Sequence, residues 1–453
     1  MKRSYEIDMC SGPLFGKILR FAVPLILSGV LQLLFNAADI IVVGRFTGSD
    51  ALAAVGSTSS LINLLVNLFI GVSVGANVMA ARYYGSGSEE EMFQTVHTAI
   101  LTALVGGCFM VFAGILAARP VLELMGTPED VLPQAVLYMR LYFIGMPAFM
   151  AYNFGAAILR AIGDTKRPLY FLSAAGVVNV LFNLLFVVVF HMGVEGVAIA
   201  TVISQVISAI LVLRCLCKSE GSYRLEFRRL HIHKDKLAAM LKIGLPAGFQ
   251  GMMFNISNVL IQSSVNSFGS LVMAGNTAAS NIEGFVYIAL NAIYQTALSF
   301  TSQNVGARQY RRVDQVLGCC LLIVAVLGTV LGVGAYLMGG VLLRIYSSDP
   351  QVIAYGITRL SLISAPYALC GLMDVLAGSL RGMGCSITPM ITSLTGACLF
   401  RVIWIFTVFR WEHSRFMLYV SYPISWTLVL LMNVTCYLVI RKRRTGPPKE
   451  IRI

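Results

Sequence analysis

Residues 18–44 read ILRFAVPLILSGVLQLLFNAADIIVVG, and this stretch decides the fold. Its 27 residues carry one ionisable group besides Arg20 at the mouth, and that group is Asp39. A run this apolar crosses a hydrocarbon layer of roughly 30 Å as a tilted helix. A carboxylate inside such a helix costs a few kcal/mol, roughly, and marks an ion, proton or substrate path more often than it decorates a lipid face. The plainer alternative is an acid that only accepts bonds from a neighbouring helix or sits near the headgroups.

The rest of the chain has the same character. Of 453 residues 57% are hydrophobic and 12% charged, against roughly 25% charged in a soluble domain. The net charge of +13 does not point to nucleic acid, because Lys and Arg gather in short loops and tails instead of forming a basic domain. The first apolar run has no small-residue cleavage site after it, so it reads as a retained span. Six of the ten cysteines lie in apolar runs and none falls in an outer loop, which argues against structural disulfides.

Hydropathy and loop breakers predict an all-α polytopic protein with twelve spans. The first six are about 18–44, 52–80, 93–118, 132–156, 169–190 and 196–216. The second six are about 240–267, 272–301, 313–341, 352–377, 387–409 and 416–440. The domains are then a tail at 1–17, a six-helix bundle at 18–217, a basic connector at 218–239, a second bundle at 240–440 and a basic tail at 441–453. With the N-terminus inside, 26 of the 34 Lys and Arg face the cytoplasm, five face outward and three lie within spans. Both termini are therefore expected in the cytoplasm, with the protein in the cell membrane.

The two halves repeat. A shift of 222 places Pro24 on Pro246, Gly29 on Gly251 and Asn36 on Asn258. Further along, Leu159–Gly163 matches Leu380–Gly384, Pro147 matches Pro366 and Pro168 matches Pro389. Six spans per half is an even number, so the repeats are parallel, the architecture of alternating access. Pro24 and Pro246 each remove one backbone bond and are candidate hinges, although a static kink is as consistent with the sequence. Gly71 with Gly75, Gly244 with Gly248, and Gly328 with Gly332 are spaced for close helix contact.

The polar residues inside the spans are the candidate site. Asn36 and Asp39 lie one turn apart on span 1, Asn179 and Asn183 one turn apart on span 5, and Thr201 is on span 6. Asp39, Asn183 and Thr201 each lie roughly 10 Å from the outer end of their spans, counted at 1.5 Å per residue. One carboxylate with amide and hydroxyl oxygens suits a proton or a Na⁺ ion better than a soft metal. A satisfied interhelical network with no ion traffic is the alternative. In the second half Glu283, Asp374 and Arg401 lie within spans, and an Asp374–Arg401 or Glu283–Arg401 pair is expected to neutralise the arginine. Glu283 is the better candidate for a cationic substrate, and aromatic and thioether side chains such as Tyr287 could line its path.

No Gly-rich nucleotide loop, His-Glu-x-x-His or Gly-x-Ser-x-Gly occurs, so no enzyme is indicated and the energy must come from an ion gradient.

The sequence resembles the multidrug and toxic compound extrusion (MATE) transporters, of the superfamily that also holds lipid and oligosaccharide flippases. The resemblance runs from about Phe15 to Ile440. It rests on Asn36-Ala-Ala-Asp39, Ala51 to Gly56, Arg82-Tyr83-Tyr84-Gly85, Leu159 to Pro168, Gly196 to Thr201 and Ser302 to Ala307. It implies two bundles set in a V around a central cleft, exchanging drugs, often cationic and aromatic, for Na⁺ or H⁺ without a cofactor. The family's cation site would map onto Asp39, Asn179, Asn183 and Thr201. Asn183 stands where Na⁺-binding relatives commonly have Asp, which leaves the choice between H⁺ and Na⁺ open. Asn255 stands near a span-7 position where some relatives carry Glu, and Asp374 matches a span-10 acid that some members use for coupling.

The expected function is thus a secondary antiporter exporting cationic or amphipathic compounds in exchange for H⁺ or Na⁺. Its expected partners are a small-molecule substrate and membrane lipid, with no nucleic acid, and its expected state is a monomer. The alternatives are a flippase for a lipid-linked or polyprenyl substrate, and a membrane scaffold or receptor that transports nothing.

Overall fold

The computed structural model describes residues 5–445; the ends of the two tails expected above, 1–4 and 446–453, lie outside the described residues. All regular structure among the described residues is helical. The first half contains α1 (Leu14–Phe46), α2 (Ser49–Ser86), α3 (Glu89–Leu124), α4 (Leu132–Ile144), α5 (Met146–Ala161), α6 (Lys166–Asn183) and α7 (Val194–Cys217). The second contains α8 (Lys234–Asn266), α9 (Ser270–Gly306), α10 (Tyr310–Leu337), α11 (Gly339–Arg344), α12 (Pro350–Arg359), α13 (Ala368–Gly382), α14 (Ile387–Ser393), α15 (Phe400–Phe406), α16 (Val408–Trp411) and α17 (Arg415–Thr445). Three π turns, Leu184–Val189, Leu360–Ser364 and Leu394–Leu399, continue α6, α12 and α14.

Nine of the described helices are long and apolar enough to cross a membrane, or eleven when two bent pairs each count as one span. The remaining expected span, 272–301, is α9. Its 37 residues suffice in length, but Asn276, Ser280, Asn281, Glu283, Asn291 and Gln295 make it too polar to read as a span on hydropathy alone. Of these, Asn276 and Glu283 are buried among neighbouring helices, whereas Ser280 and Asn281 are exposed.

The expected single spans at 132–156 and 352–377 are each broken. α4 meets α5 at 46°, and the segment Pro350–Ser364 meets α13 at 42°. Pro147 and Pro366 lie at these two breaks and lack the N–H that would carry the helix through. By contrast α1 runs unbroken through Pro24 and α8 through Pro246. Ser28 Oγ donates to the Pro24 carbonyl at 2.8 Å, one turn further on.

The chain divides into two compact units, one built on Leu19–Gly248 and the other on Phe249–Val305 and the chain from Gln309 onward. The division falls inside α8 instead of in the connector, and glycine contacts explain why. A Cβ on Gly244 would overlap the backbone of Val72 and Gly71, and one on Gly248 would overlap Leu68. Gly71 and Gly75 present the same bare surface to Gly248 and Met240. The two glycine pairs seen in the sequence are therefore each other's partners, and they hold the first half of α8 against α2 by backbone contact. Gly328 and Gly332 do the same for α10 against Ala368 and Ser364 in the second unit.

The connector is tied to the first unit rather than free. Tyr223 and Leu225 are buried, the Glu226 N–H donates to His97 Nε2 at 3.0 Å, and the His233 N–H donates to Thr98 Oγ1 at 3.1 Å. His97, fully buried, bonds the Phe93 carbonyl through Nδ1 at 2.8 Å, which fixes the Nδ1–H form of its neutral ring.

Gly244→Val forces the α2–α8 backbones apart and is expected to cost about 1–3 kcal/mol, as overpacking does. Thermal unfolding of the purified protein will show it as a lowered midpoint, whereas Gly56→Ala, where the added Cβ meets open space, will leave the midpoint near its native value.

Candidate functional site

In the first unit the close approach of α1 to α6 comes first. Gly176 on α6 faces the Phe35 ring of α1, and any Cβ there would collide with that ring. Without a side chain at Gly176, α1 lies near enough for Asp39, one turn beyond Phe35, to reach Asn183, two turns beyond Gly176. Asn183 Nδ2 donates to Asp39 Oδ1 and also to Asn179 Oδ1 at 3.3 Å. Asn179 Nδ2 in turn donates to Thr201 Oγ1 on α7 at 3.4 Å, and the Thr201 hydroxyl donates to the Val197 carbonyl at 3.0 Å. Asn179 and Asn183 are buried and Asp39 partly so.

Four of the five polar residues expected at this site thus form one chain of hydrogen bonds across three helices. The fifth does not join it: Asn36 is exposed and makes no hydrogen bond among the described residues. A turn of helix separates it from Asp39, but its side chain leaves on another line.

Two features were not read from the sequence. Tyr138 and Tyr142, one turn apart on α4, lie close enough to feel the charge of Asp39. Their spacing on a span was visible, but nothing in it pointed toward α1. The second feature is that Asn183 Oδ1 is buried with no hydrogen-bond partner. Such an acceptor costs about 1–3 kcal/mol unless something donates to it. Beside it lies a carboxylate whose other oxygen, Oδ2, makes no hydrogen bond among the described residues. The oxygens of Asp39, Asn183, Asn179 and Thr201 are a hard donor set with one negative charge, which fits a proton or a monovalent cation. Among the described residues no three His, Cys, Asp or Glu cluster to hold a metal more tightly.

The second unit handles charge differently. Glu283 on α9 is paired with Arg359 of α12 through two bonds, Nε to Oε1 at 3.1 Å and Nη2 to Oε2 at 2.7 Å. Arg359 Nη1 donates to Asn276 Oδ1 at 2.6 Å, and Asn276 Nδ2 donates to Gln262 at 3.1 Å. This corrects the expected pairing of Arg401 with either acid. Arg359 lies nearer on the neighbouring helix and takes both carboxylate oxygens of Glu283. Arg401 has no carboxylate partner among the described residues; its Nε donates to Ser425 Oγ at 2.9 Å and its guanidinium lies 4.1 Å from the Tyr422 ring.

The Glu283–Arg359 pair lines a cavity of about 290 Å³ within this unit, with Tyr287, Tyr367, Tyr422 and Trp426 among its walls. Tyr287 is 40% exposed there and interacts electrostatically with Asp374. Asp374, on α13, feels the charge of Arg381 but forms no hydrogen bond or ion pair among the described residues. Asn255, half-buried on α8, likewise makes no hydrogen bond among the described residues.

A family model, MatE, matches the chain twice, over residues 24–185 and 246–407. The chain belongs to the MatE family. MatE proteins are transporters, and the two matched segments are the repeated halves of a multi-pass membrane protein, offset by the 222 residues read from the sequence. Among curated relatives the chain is 27% identical to the probable multidrug resistance protein YoeA of Bacillus subtilis, over 94% of this chain and 93% of that one. It is 23% identical to a FAD transporter of Shewanella oneidensis, over 85% and 86% respectively. Its fold matches that of a multidrug resistance MATE transporter solved in an outward-facing conformation, with a TM-score of 0.92 at 18% identity, over 99% of this chain and all of that one.

Glu283→Gln leaves a buried guanidinium without its counter-charge and is expected to destabilise the protein by about 3–5 kcal/mol. Adding Arg359→Met to that variant should recover most of the loss, a coupling that thermal unfolding of the two single and the double variants will measure.

Proposed function

We propose that this MatE transporter is a secondary antiporter of the cell membrane, exporting cationic or amphipathic compounds in exchange for a cation bound at Asp39. The observation that carries the reading is the Asp39–Asn183 pair with its unsatisfied amide oxygen. A proton on Asp39 Oδ2 turns an acceptor into a donor aimed at Asn183 Oδ1, closing a two-bond acid–amide pair. A Na⁺ ion would satisfy the same oxygens by coordination. In either case occupancy changes how α1 packs against α6, and a site that binds differently in two conformations biases the equilibrium between them. Release of the cation leaves Asn183 Oδ1 unpaired and favours the other packing.

Pro24, low on the same helix, is the natural point for α1 to bend as that packing changes, and Pro246 is its counterpart on α8. Tyr287, Asp374 and Glu283 are the candidates for holding substrate, with Asn255 further along α8. The multidrug names of relatives such as YoeA support the substrate class. Both termini lie in the cytoplasm in this reading, as the Lys and Arg bias requires, and the protein acts as a monomer.

A second reading, movement of a phosphate-bearing substrate, draws on the buried arginines Arg359, Arg381 and Arg401 of the second unit. Lipid flipping without a gradient would separate it from antiport.

Dye efflux from proteoliposomes under an imposed pH or Na⁺ gradient tests the antiport reading. Asp39→Asn should lower gradient-driven ethidium efflux by at least about tenfold while leaving the protein folded; unchanged efflux would remove Asp39 from the mechanism. Asn183→Asp supplies a second carboxylate and should raise the response to a Na⁺ gradient relative to a pH gradient, read in the same assay.

A further inference from the structure

The repeat that relates the two units also relates their polar interiors. A shift of 222 carries Asp39 to Ile261 and Asn36 to Asn258. Further along, Pro168 and Pro389 match at 221, yet the family segments end at 185 and 407, again 222 apart. The π turn Leu394–Leu399 supplies the extra residue, because the Phe400 N–H reaches back five residues to Thr395 O. In the first repeat the corresponding turn comes later, after Asn183, where the Phe190 N–H bonds Leu185 O. Between the two turns the shift is therefore 222, so Asn179 corresponds to Arg401 and Asn183 to Ile405.

The surroundings agree with that correspondence. Asn179 is 5% exposed and donates to a hydroxyl, Thr201, on the following span. Arg401 is 3% exposed and donates to a hydroxyl, Ser425, on its following span. Where the first repeat has a carboxylate, the second has Ile261, which is also 3% exposed.

We infer that the Arg401 guanidinium is a tethered cation filling, in the second repeat, the counterpart of the site built around Asp39 in the first, and that it thereby limits the chain to one coupling cation. The inference rests on the reading of Asp39 given above. A guanidinium keeps its charge throughout the accessible pH range, so it can be neither discharged like a protonated acid nor released like Na⁺. Its charge is met by the faces of Tyr422, at 4.1 Å, and Trp426, at 5.9 Å, in place of an acid. Its Nη2 is buried with no hydrogen-bond partner, and no carboxylate pairs with it among the described residues. The second repeat then holds its cation-occupied packing at every stage of the cycle, and only the first repeat responds to the gradient. Arg401 is a positioning residue in this scheme and sets the coupling stoichiometry.

The test counts cations displaced per chain when ethidium is added to the full-length protein in lipid nanodiscs, with protons followed by an indicator dye and Na⁺ as bound ²²Na⁺. The native chain should release one equivalent and Asp39→Asn none. The triple variant Ile261→Asp, Arg401→Asn and Ile405→Asn, which rebuilds the first repeat's site in the second, should release two. A folded triple variant that still releases one overturns the inference, as does a native chain that releases two and keeps one in Asp39→Asn. A native count that Asp39→Asn does not change sinks the Asp39 reading instead. Should the triple variant fail to fold, Arg401→Lys and Arg401→Met decide. The tethered ammonium should retain most ethidium efflux and the neutral side chain should lose about tenfold, whereas equal loss in both overturns the tethered-cation role.

Discussion

A carboxylate placed in an apolar helix must find polar company, and in this protein that single requirement organises the first unit. Asp39 meets it through Asn183, Asn179 and Thr201, on two other helices, and the contact exists because Gly176 offers α1 a face without a side chain. The network is incomplete by one donor. A fully satisfied network would be a packing device. One that lacks a hydrogen at a buried amide oxygen, beside an acid able to supply it, is left with a cost that a donor would relieve.

The second unit solves the same problem with opposite chemistry. Beside Asp374 it buries an ion pair and a stacked cation: Glu283 is locked to Arg359, and Arg401 rests on aromatic faces. Buried pairs contribute little net stability but resist being split, which makes them poor switches and good fixed points. Two halves of common architecture thus differ in how they neutralise their buried charge.

Helix irregularities set where these side chains point. The breaks at Pro147 and Pro366 are repeat counterparts and bend by 46° and 42°. The π turns are not in register: one follows Asn183 and the other precedes Arg401. A one-residue offset rotates all that follows by about 100° on a helix, which brings Arg401 into line with Asn179 in the repeat.

Much of this was legible in the residues alone. Apolar runs, the Lys and Arg bias and the 222-residue repeat specify a polytopic helical protein of two parallel halves, because lipid admits few other ways to satisfy a backbone. Depth counting also grouped Asp39 with Asn179, Asn183 and Thr201, since rise per residue is fixed in a helix. The span at 272–301 was read as well and is α9, the least apolar of the twelve, with Asn276 and Glu283 buried among its neighbours. Rotation about helix axes and the choice of neighbour belonged to the tertiary structure. It turned Asn36 away from the cluster, gave Glu283 to Arg359 instead of Arg401, brought Tyr138 and Tyr142 toward Asp39, and left Asn183 Oδ1 without a donor. A sequence fixes how far along a span a side chain lies, whereas which way it faces depends on packing, bulges and breaks summed over every helix around it.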